Sequence, residues 1–242
     1  MGLERISFQD RESWLAGRRR GIGGSDAAAV AGFSKWKNAV TLWEEKCNIR
    51  EAKDISGDEA VQRGVRMEDA IRTFFIAVHP ELSVEHHAFD ILFQSERPWL
   101  FSTLDGEVKE YGLEDPPEGT RHIYIPAGGE PVEKPVPRIP FVRHGILEIK
   151  TASPNGKSGW AEWDGAVPQG YYTQILHMFL ATGYDFAYLQ AALYGRNGDV
   201  TLREYSFDRK DCEADIQWLL QKETDFWNCV QTGKRPGLTI RF

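Results

Sequence analysis

The residues whose types and spacing could do chemistry are Asp105, closing Ser102-Thr103-Leu104-Asp105-Gly106, and the pair Glu148 and Lys150 within Gly145-Ile146-Leu147-Glu148-Ile149-Lys150-Thr151. Ile146, Leu147 and Ile149 are strand formers, and the period of two along a strand puts Glu148 and Lys150 on one face. Burying a carboxylate or an ammonium without a partner is costly, so such a strand pairs them, exposes them or offers them to a metal. Asp105, before a glycine, can bring a second carboxylate to the same place. Two carboxylates suit Mg²⁺ or Mn²⁺, hard cations that take oxygen ligands and keep several waters. Such a cation acidifies a bound water and offsets charge on a phosphate, while a lysine adds fixed positive charge where negative charge accumulates. The set is the chemistry of a divalent-metal phosphodiesterase. A Glu-x-Lys taken alone also describes a solvated surface pair.

Several elements must position these groups. Residues 10–17 read as a short helix leading into Arg18-Arg19-Arg20 and then Gly23-Gly24-Ser25. Ser25 or Gly24 caps a helix through about Ala31, ended by Gly32. Free backbone N–H groups, a hydroxyl and three arginines at a helix N-terminus suit a phosphate. Taken alone, an ordinary N-cap beside a solvated basic run is the preferred reading. Residues 38–48 form a helix with Val40, Trp43 and Cys47 on one face. A longer helix over 57–78 has Val61, Val65, Ile71, Phe74 and Phe75 as its apolar stripe, with Glu68 one turn after Gly64. A glycine inside a helix costs about 1 kcal/mol relative to alanine, which implies a close approach there.

Strands follow over 83–93, 99–104 and 107–111, and the strand over 142–151 carries Glu148 and Lys150. Between them, residues 112–140 hold seven of the twelve prolines and read as an exposed insert with a hairpin around Gly128-Gly129. After a loop over 153–166, a helix over 168–182 places Gln174 beside Tyr171, Ile175, Met178 and Phe179, where a buried amide needs partners. A hairpin of strands 185–194 and 200–207 and a helix over 208–232 complete the pattern.

At 242 residues the expectation is one domain, 1–242, of mixed α/β character. Cys47, Cys212 and Cys229 are odd in number and lack C-x-x-C spacing, so neither a disulfide framework nor a zinc site is suggested, and a reducing cytoplasm fits. No secretory leader or membrane-spanning run is read. The net charge of −7 argues against a generally basic nucleic-acid binder but leaves room for a basic groove. His86 and His87, adjoining on a strand, would point to opposite faces and not chelate together. His177 reads as a core or surface histidine. Trp160, Trp163, Tyr171 and Tyr172 read as packing beneath the long loop rather than as a base-stacking platform.

In order, the chain reads an arginine and a serine seven residues apart, Arg18 and Ser25, at a glycine-rich turn, then Gly-x-x-x-Glu in a helix, Leu-Asp-Gly at a strand end, Leu-Glu-Ile-Lys, and Tyr-x-x-Gln in a helix. Over about residues 18–194 this resembles the YqaJ family of viral recombinases, relatives of lambda exonuclease in the PD-(D/E)xK nuclease superfamily. The resemblance implies a central mixed sheet flanked by helices, with a restriction-endonuclease-like core. It also implies Mg²⁺-dependent 5′-to-3′ exonuclease activity on linear duplex DNA, leaving 3′ overhangs for recombination. Asp105 and Glu148 would hold the metal with the backbone carbonyl of Ile149. Lys150 would be the catalytic lysine, Glu68 would border the metal directly or through water, and Gln174 would position the strand and water. Arg18 and Ser25 would grip the 5′-phosphate. A trimeric ring, an annealing-protein partner and a host-cytoplasm location follow by the same resemblance. A structure-selective or nicking endonuclease, a 3′-directed exonuclease and a non-catalytic DNA-end-binding module stay open as alternatives. The lengthened insert between Asp105 and Glu148 and the acidic net charge depart from the family pattern.

Overall fold

The computed structural model describes residues 2–237, so Met1 and residues 238–242 of the expected domain lie outside the described residues. Its centre is a five-stranded mixed sheet in the order β10-β9-β8-β5-β2. The strands are β2 (Leu82–Glu85), β5 (Gly106–Glu114), β8 (Ile139–Ala152), β9 (Phe186–Tyr194) and β10 (Val200–Asp208). Only the β8–β9 pair is parallel. That pairing requires a crossover, supplied by α5 (Gly156–Ala161) and α6 (Gln169–Thr182).

Residues 145–149 of β8 are buried without a break, as expected of a central strand covered on both faces. The two coverings differ. On one face Ile146 joins Leu189, Ala191 and Leu193 against Ile175, Met178 and Phe179 of α6. On the other, Leu147, Ile149 and Val108 pack with Ile71 and Phe75 of α4 (Glu59–Val78). Nine consecutive-turn positions of α6 are buried because α7 (Glu213–Thr232) and α2 (Gly24–Ala31) close over its outer side. Smaller apolar contacts join α2 and α3 (Ala39–Lys46) to Phe226 of α7.

A second sheet, β1-β3-β4, consists of β1 (Leu3–Ser7), β3 (Asp90–Gln94) and β4 (Phe101–Ser102). The expected strand over 83–93 is therefore two strands in two sheets, separated by His86–Phe89. Phe89 has φ +63°, a conformation a bulky side chain rarely adopts, and it turns the chain out of the first sheet. β1 was not anticipated. Every residue of it is exposed, and it is tied in through Arg5, which bonds Asp90 at 2.6 Å and pairs with the buried Glu107.

Gly112–Glu114 and Ile139–Pro140, assigned to the insert by composition, continue the β5–β8 ladder outward. Beyond them β6 (His122–Tyr124) and β7 (Val132–Lys134) form a separate exposed hairpin. The loop expected over 153–166 contains α5 despite its two glycines. The last helix is preceded by a 3₁₀ turn, Arg209–Cys212. All three cysteines are free. Among the described residues no helix is long and apolar enough to cross a membrane.

Ahead of α2, Ile22 and Leu100 form a parallel bridge, with Ile22 N–H donating to the Trp99 carbonyl at 2.7 Å. A Cβ on Gly21 would lie 2.8 Å from the Trp99 carbonyl carbon and closer still to its oxygen. Gly21→Ala should therefore destabilise the fold by about 1–3 kcal/mol through forced overpacking. A shifted denaturant midpoint at constant m would show this, and an unchanged midpoint would refute it.

Candidate active site

The turn between β4 and β5 presents Asp105, and its placement follows from the register. β5 starts at Gly106 opposite Leu147, so residue 149 of β8 has no strand partner on that side. The Asp105 Oδ2 atom fills the vacancy, accepting from Ile149 N–H at 2.8 Å. Because the N–H and C=O of one strand residue face the same neighbour, the Ile149 carbonyl faces the same gap.

Glu148 and Lys150 do share a face. Lys150 Nζ contacts Glu148 Oε1, and Gln174 Nε2 donates to that same oxygen at 2.6 Å. Glu148 is 2% exposed. Burial pushes its carboxyl up to about 8, with Asp105 and Glu68 adding to the shift and Lys150 opposing it. Burial also works against charge on Lys150, but Glu148 and Asp105 outweigh it and hold the ammonium above its ordinary value.

Glu68 projects from α4 toward the same place, and burial followed by the Asp105 charge raises its pKa against the pull of Arg72. The glycine one turn earlier now has its reason. A Cβ on Gly64 would lie 3.3 Å from Thr151 Oγ1, on the residue after Lys150. Val61 and Val65, read as core positions of α4, line the cleft instead, and Val65 is 69% exposed. The helix buries Ile71, Arg72 and Phe75.

At the other end, Arg18 closes α1 (Arg11–Arg18), which is capped by Asp10. Arg18 Nη2 donates to Ser25 Oγ at 3.1 Å, and its guanidinium lies 4.6 Å from the centre of the Trp14 ring. Burial lowers its pKa, opposed by Asp26 and Glu148, which places the arginine within electrostatic reach of the β8 carboxylate. Ser25 is not the N-cap. Gly23 is, and Asp26 accepts from Gly23 N–H at 3.2 Å. Lys46 braces this turn, pairing with Asp26 at 2.8 Å and reaching the Arg18 carbonyl at 3.4 Å.

One cleft of about 690 Å³ is lined by Arg18, Ser25, Glu68, Asp105, Glu148 and Lys150, and Ile149 and Gln174 also border it. The structure thus brings together every site residue expected from sequence. Among the described residues no cluster of three or more His, Cys, Asp or Glu side chains has the arrangement of a metal cage. The donor set is two carboxylates with the Ile149 carbonyl, and among the described residues Asp105 Oδ1 and Glu148 Oε2 have no hydrogen-bond partner. Such a set fits a hard cation that keeps much of its water.

His86 and His87 lie in the turn between β2 and β3 rather than on a strand, and both border the cleft. His177 is fully buried against Glu223. Trp163 is buried beside Tyr171, and Tyr172 bonds Asp215, so this aromatic group is packing. Arg72, Lys46 and Asp26 were missed in the sequence. The one signal available for Arg72 was its i+4 spacing from Glu68.

The fold is that of an alkaline exonuclease. The enzyme LHK-Exo from Laribacter hongkongensis superposes with a TM-score of 0.59 at 16% identity, covering 93% of this chain and 94% of that one. Its complex with dAMP gives 0.57 at 17% identity, covering 93% and 97%. Residues 13–185 match the YqaJ-like viral recombinase domain, and the chain belongs to that family. Bacillus subtilis (strain 168) has a relative, the uncharacterized protein YqaJ, 27% identical over 98% of this chain; the chain spans 61% of that relative's length.

Proposed function

We propose that this protein is a divalent-metal-dependent exonuclease that degrades the 5′-ended strand of linear duplex DNA and leaves 3′ overhangs for recombination. The observation that carries the reading is the meeting of Asp105, Glu148 and Lys150 with the Arg18–Ser25 pocket in one cleft. Membership of the viral recombinase family and a fold shared with an alkaline exonuclease support it, as does that enzyme's complex with a nucleoside monophosphate.

Asp105, Glu148 and the Ile149 carbonyl would hold Mg²⁺, with Mn²⁺ as an alternative. When bound, such a cation acidifies a water and offsets charge on the scissile phosphate. Ile149 N–H fixes the Asp105 carboxylate, and Gln174 fixes Glu148. Lys150 aligns the attacking water and stabilises charge growing on the phosphate oxygens. Arg18 and Ser25 take the terminal phosphate by charge-assisted hydrogen bonds, which registers the first phosphodiester against the carboxylates. By family analogy the working form is a ring of three copies that hands its overhang to a single-strand annealing protein.

The test is digestion of a linear duplex bearing 5′-phosphate or 5′-hydroxyl ends, with Mg²⁺ or EDTA, beside a closed circle. Metal-dependent shortening from phosphorylated 5′ ends with the circle intact supports the reading. Cutting of the circle would make the protein an endonuclease, and no cutting with any metal would leave a DNA-end-binding module. Arg18→Ala should lower kcat/KM on phosphorylated ends by about 10–100-fold, the worth of one or two charge-assisted bonds. Its effect on hydroxyl ends should be several-fold at most; equal losses on both would remove the pocket assignment.

A further inference from the structure

We propose that Arg72 is the positioning residue of this site, locking the Asp105 turn to helix α4 and thereby setting the affinity for the divalent cation. The inference rests on the nuclease reading and deepens it.

Arg72 is 8% exposed, and its guanidinium makes three directed contacts. Nε donates to the backbone carbonyl of Asp105 at 2.7 Å, Nη2 to Glu68 Oε1 at 2.5 Å and Nη1 to Asp69 Oδ1 at 2.5 Å. The Asp69 side chain is 91% exposed, so that contact is screened and contributes little. The other two are sheltered, and they join the groups that border the proposed metal position from different elements. Asp105 comes from the β4–β5 turn and Glu68 from α4.

The Asp105 carboxylate is thus held at two points. Its Oδ2 is anchored by Ile149 N–H, and its backbone is anchored by Arg72. Together these leave Oδ1 as the oxygen without a protein partner. Glu68 is oriented likewise, with Oε1 turned to the guanidinium, which leaves Oε2 for a water or a cation. A planar fork can serve a carbonyl and two carboxylates at once. An ammonium in the same place is a single point of charge on a flexible stem. Partners that orient metal ligands in this way typically change metal affinity by about 10–100-fold when removed.

The experiment is Mn²⁺ titration of the DNA-free protein by calorimetry, comparing wild type with Arg72→Lys, alongside melting curves and metal-saturated kinetics on 5′-phosphorylated ends. The expected result is Mn²⁺ affinity reduced about 10–100-fold, a similar rise in the metal concentration for half-maximal turnover, and unchanged KM for DNA ends. If Arg72→Lys binds Mn²⁺ as wild type does, Arg72 is only a clamp between helix and sheet and the proposal falls. If wild type itself binds no Mn²⁺, the nuclease reading fails first and this proposal with it.

Should Arg72→Lys not fold, the wild-type Arg72 Nε–H resonance provides the second measurement. Held on the Asp105 carbonyl, it should move when Mg²⁺ is added; no movement at saturating Mg²⁺ overturns the proposal.

Discussion

Lys150→Met is expected to lower single-turnover cleavage by about 10²–10³-fold at saturating metal, the cost of removing one preorganised charge from a developing oxyanion. Melting temperature should change little below about pH 8, because the buried Glu148 carboxyl, already pushed up to about 8, can take up a proton and so leave no orphaned charge. Mn²⁺ binding should persist at high pH. The pH matters because Lys150 is what holds the buried Glu148 carboxyl down, against burial and the neighbouring Asp105 and Glu68 charges. Without the ammonium, Glu148 takes up its proton more readily. The deficit in metal binding should then deepen as pH falls. Turnover within a few-fold of wild type would remove the role assigned to Lys150. A loss that vanished entirely at high pH would mean the lysine serves only to keep Glu148 ionised.

The parts of this site legible in the sequence are those whose signal is local. Glu148 and Lys150 share a face because strand side chains alternate, and that holds wherever the strand sits. Gly64 announced a close approach, though only the structure identifies Thr151 as the neighbour. Individual strands and helices were readable for the same reason, through alternation and 3.6-residue periodicity, whereas their arrangement as a central mixed sheet flanked by helices was implied by the family resemblance. What escaped depends on partners distant in the chain. β1 carries no amphipathic signal, since all its residues are exposed, and its attachment is the antiparallel ladder to β3 together with Arg5 reaching Asp90 and Glu107. The break at His86–Phe89 rests on one positive φ that no alternation pattern reveals.

Val65 was misplaced because the apolar positions of α4 serve two surfaces. The stripe begins in the cleft at Val61 and Val65 and reaches the core only at Ile71 and Phe75. Arg72 shows the same limit from the other side. It occupies a buried position that hydrophobic periodicity would fill with an apolar residue, and only the Asp105 carbonyl and Glu68 explain it. The net charge of −7 is blind to such local placement, because it averages over the whole surface. Arg18 and Lys150 border one cleft whatever the remainder carries.

His177→Phe should cost about 3–5 kcal/mol of folding stability, the usual penalty for orphaning one member of a buried charged pair. His177 is fully buried, with Nδ1 2.7 Å from Glu223 Oε1 and Nε2 2.8 Å from the Phe101 carbonyl. Glu223 is equally buried, and its Oε2 has no partner. Removing the imidazole therefore strands a carboxylate inside the protein and frees the carbonyl of the strand that leads to Asp105. The double change His177→Phe with Glu223→Leu should recover most of the loss, since apolar replacement of a whole buried pair is often close to neutral. Urea denaturation at neutral pH would separate the two, and a double variant as unstable as the single would refute the account.

The wild-type pair also gives stability a pH dependence of definite sign. Burial alone would lower the imidazole pKa, but Glu223 and the Phe101 carbonyl outweigh it and raise it above the ordinary value of 6.5. Its contribution is fully present below that ordinary value and is lost as pH rises through the raised one. The melting temperature of wild type should accordingly fall on that alkaline limb, and the slope should be absent from the double variant. Because His177 stands on α6 three residues after Gln174 and bonds β4 just before the Asp105 turn, the same loss should loosen both sides of the cleft. Cleavage by wild type should then decline with the alkaline fall in stability, while the double variant, which has no titrating pair between α6 and α7 and no bond from residue 177 to β4, should lack that component of the decline.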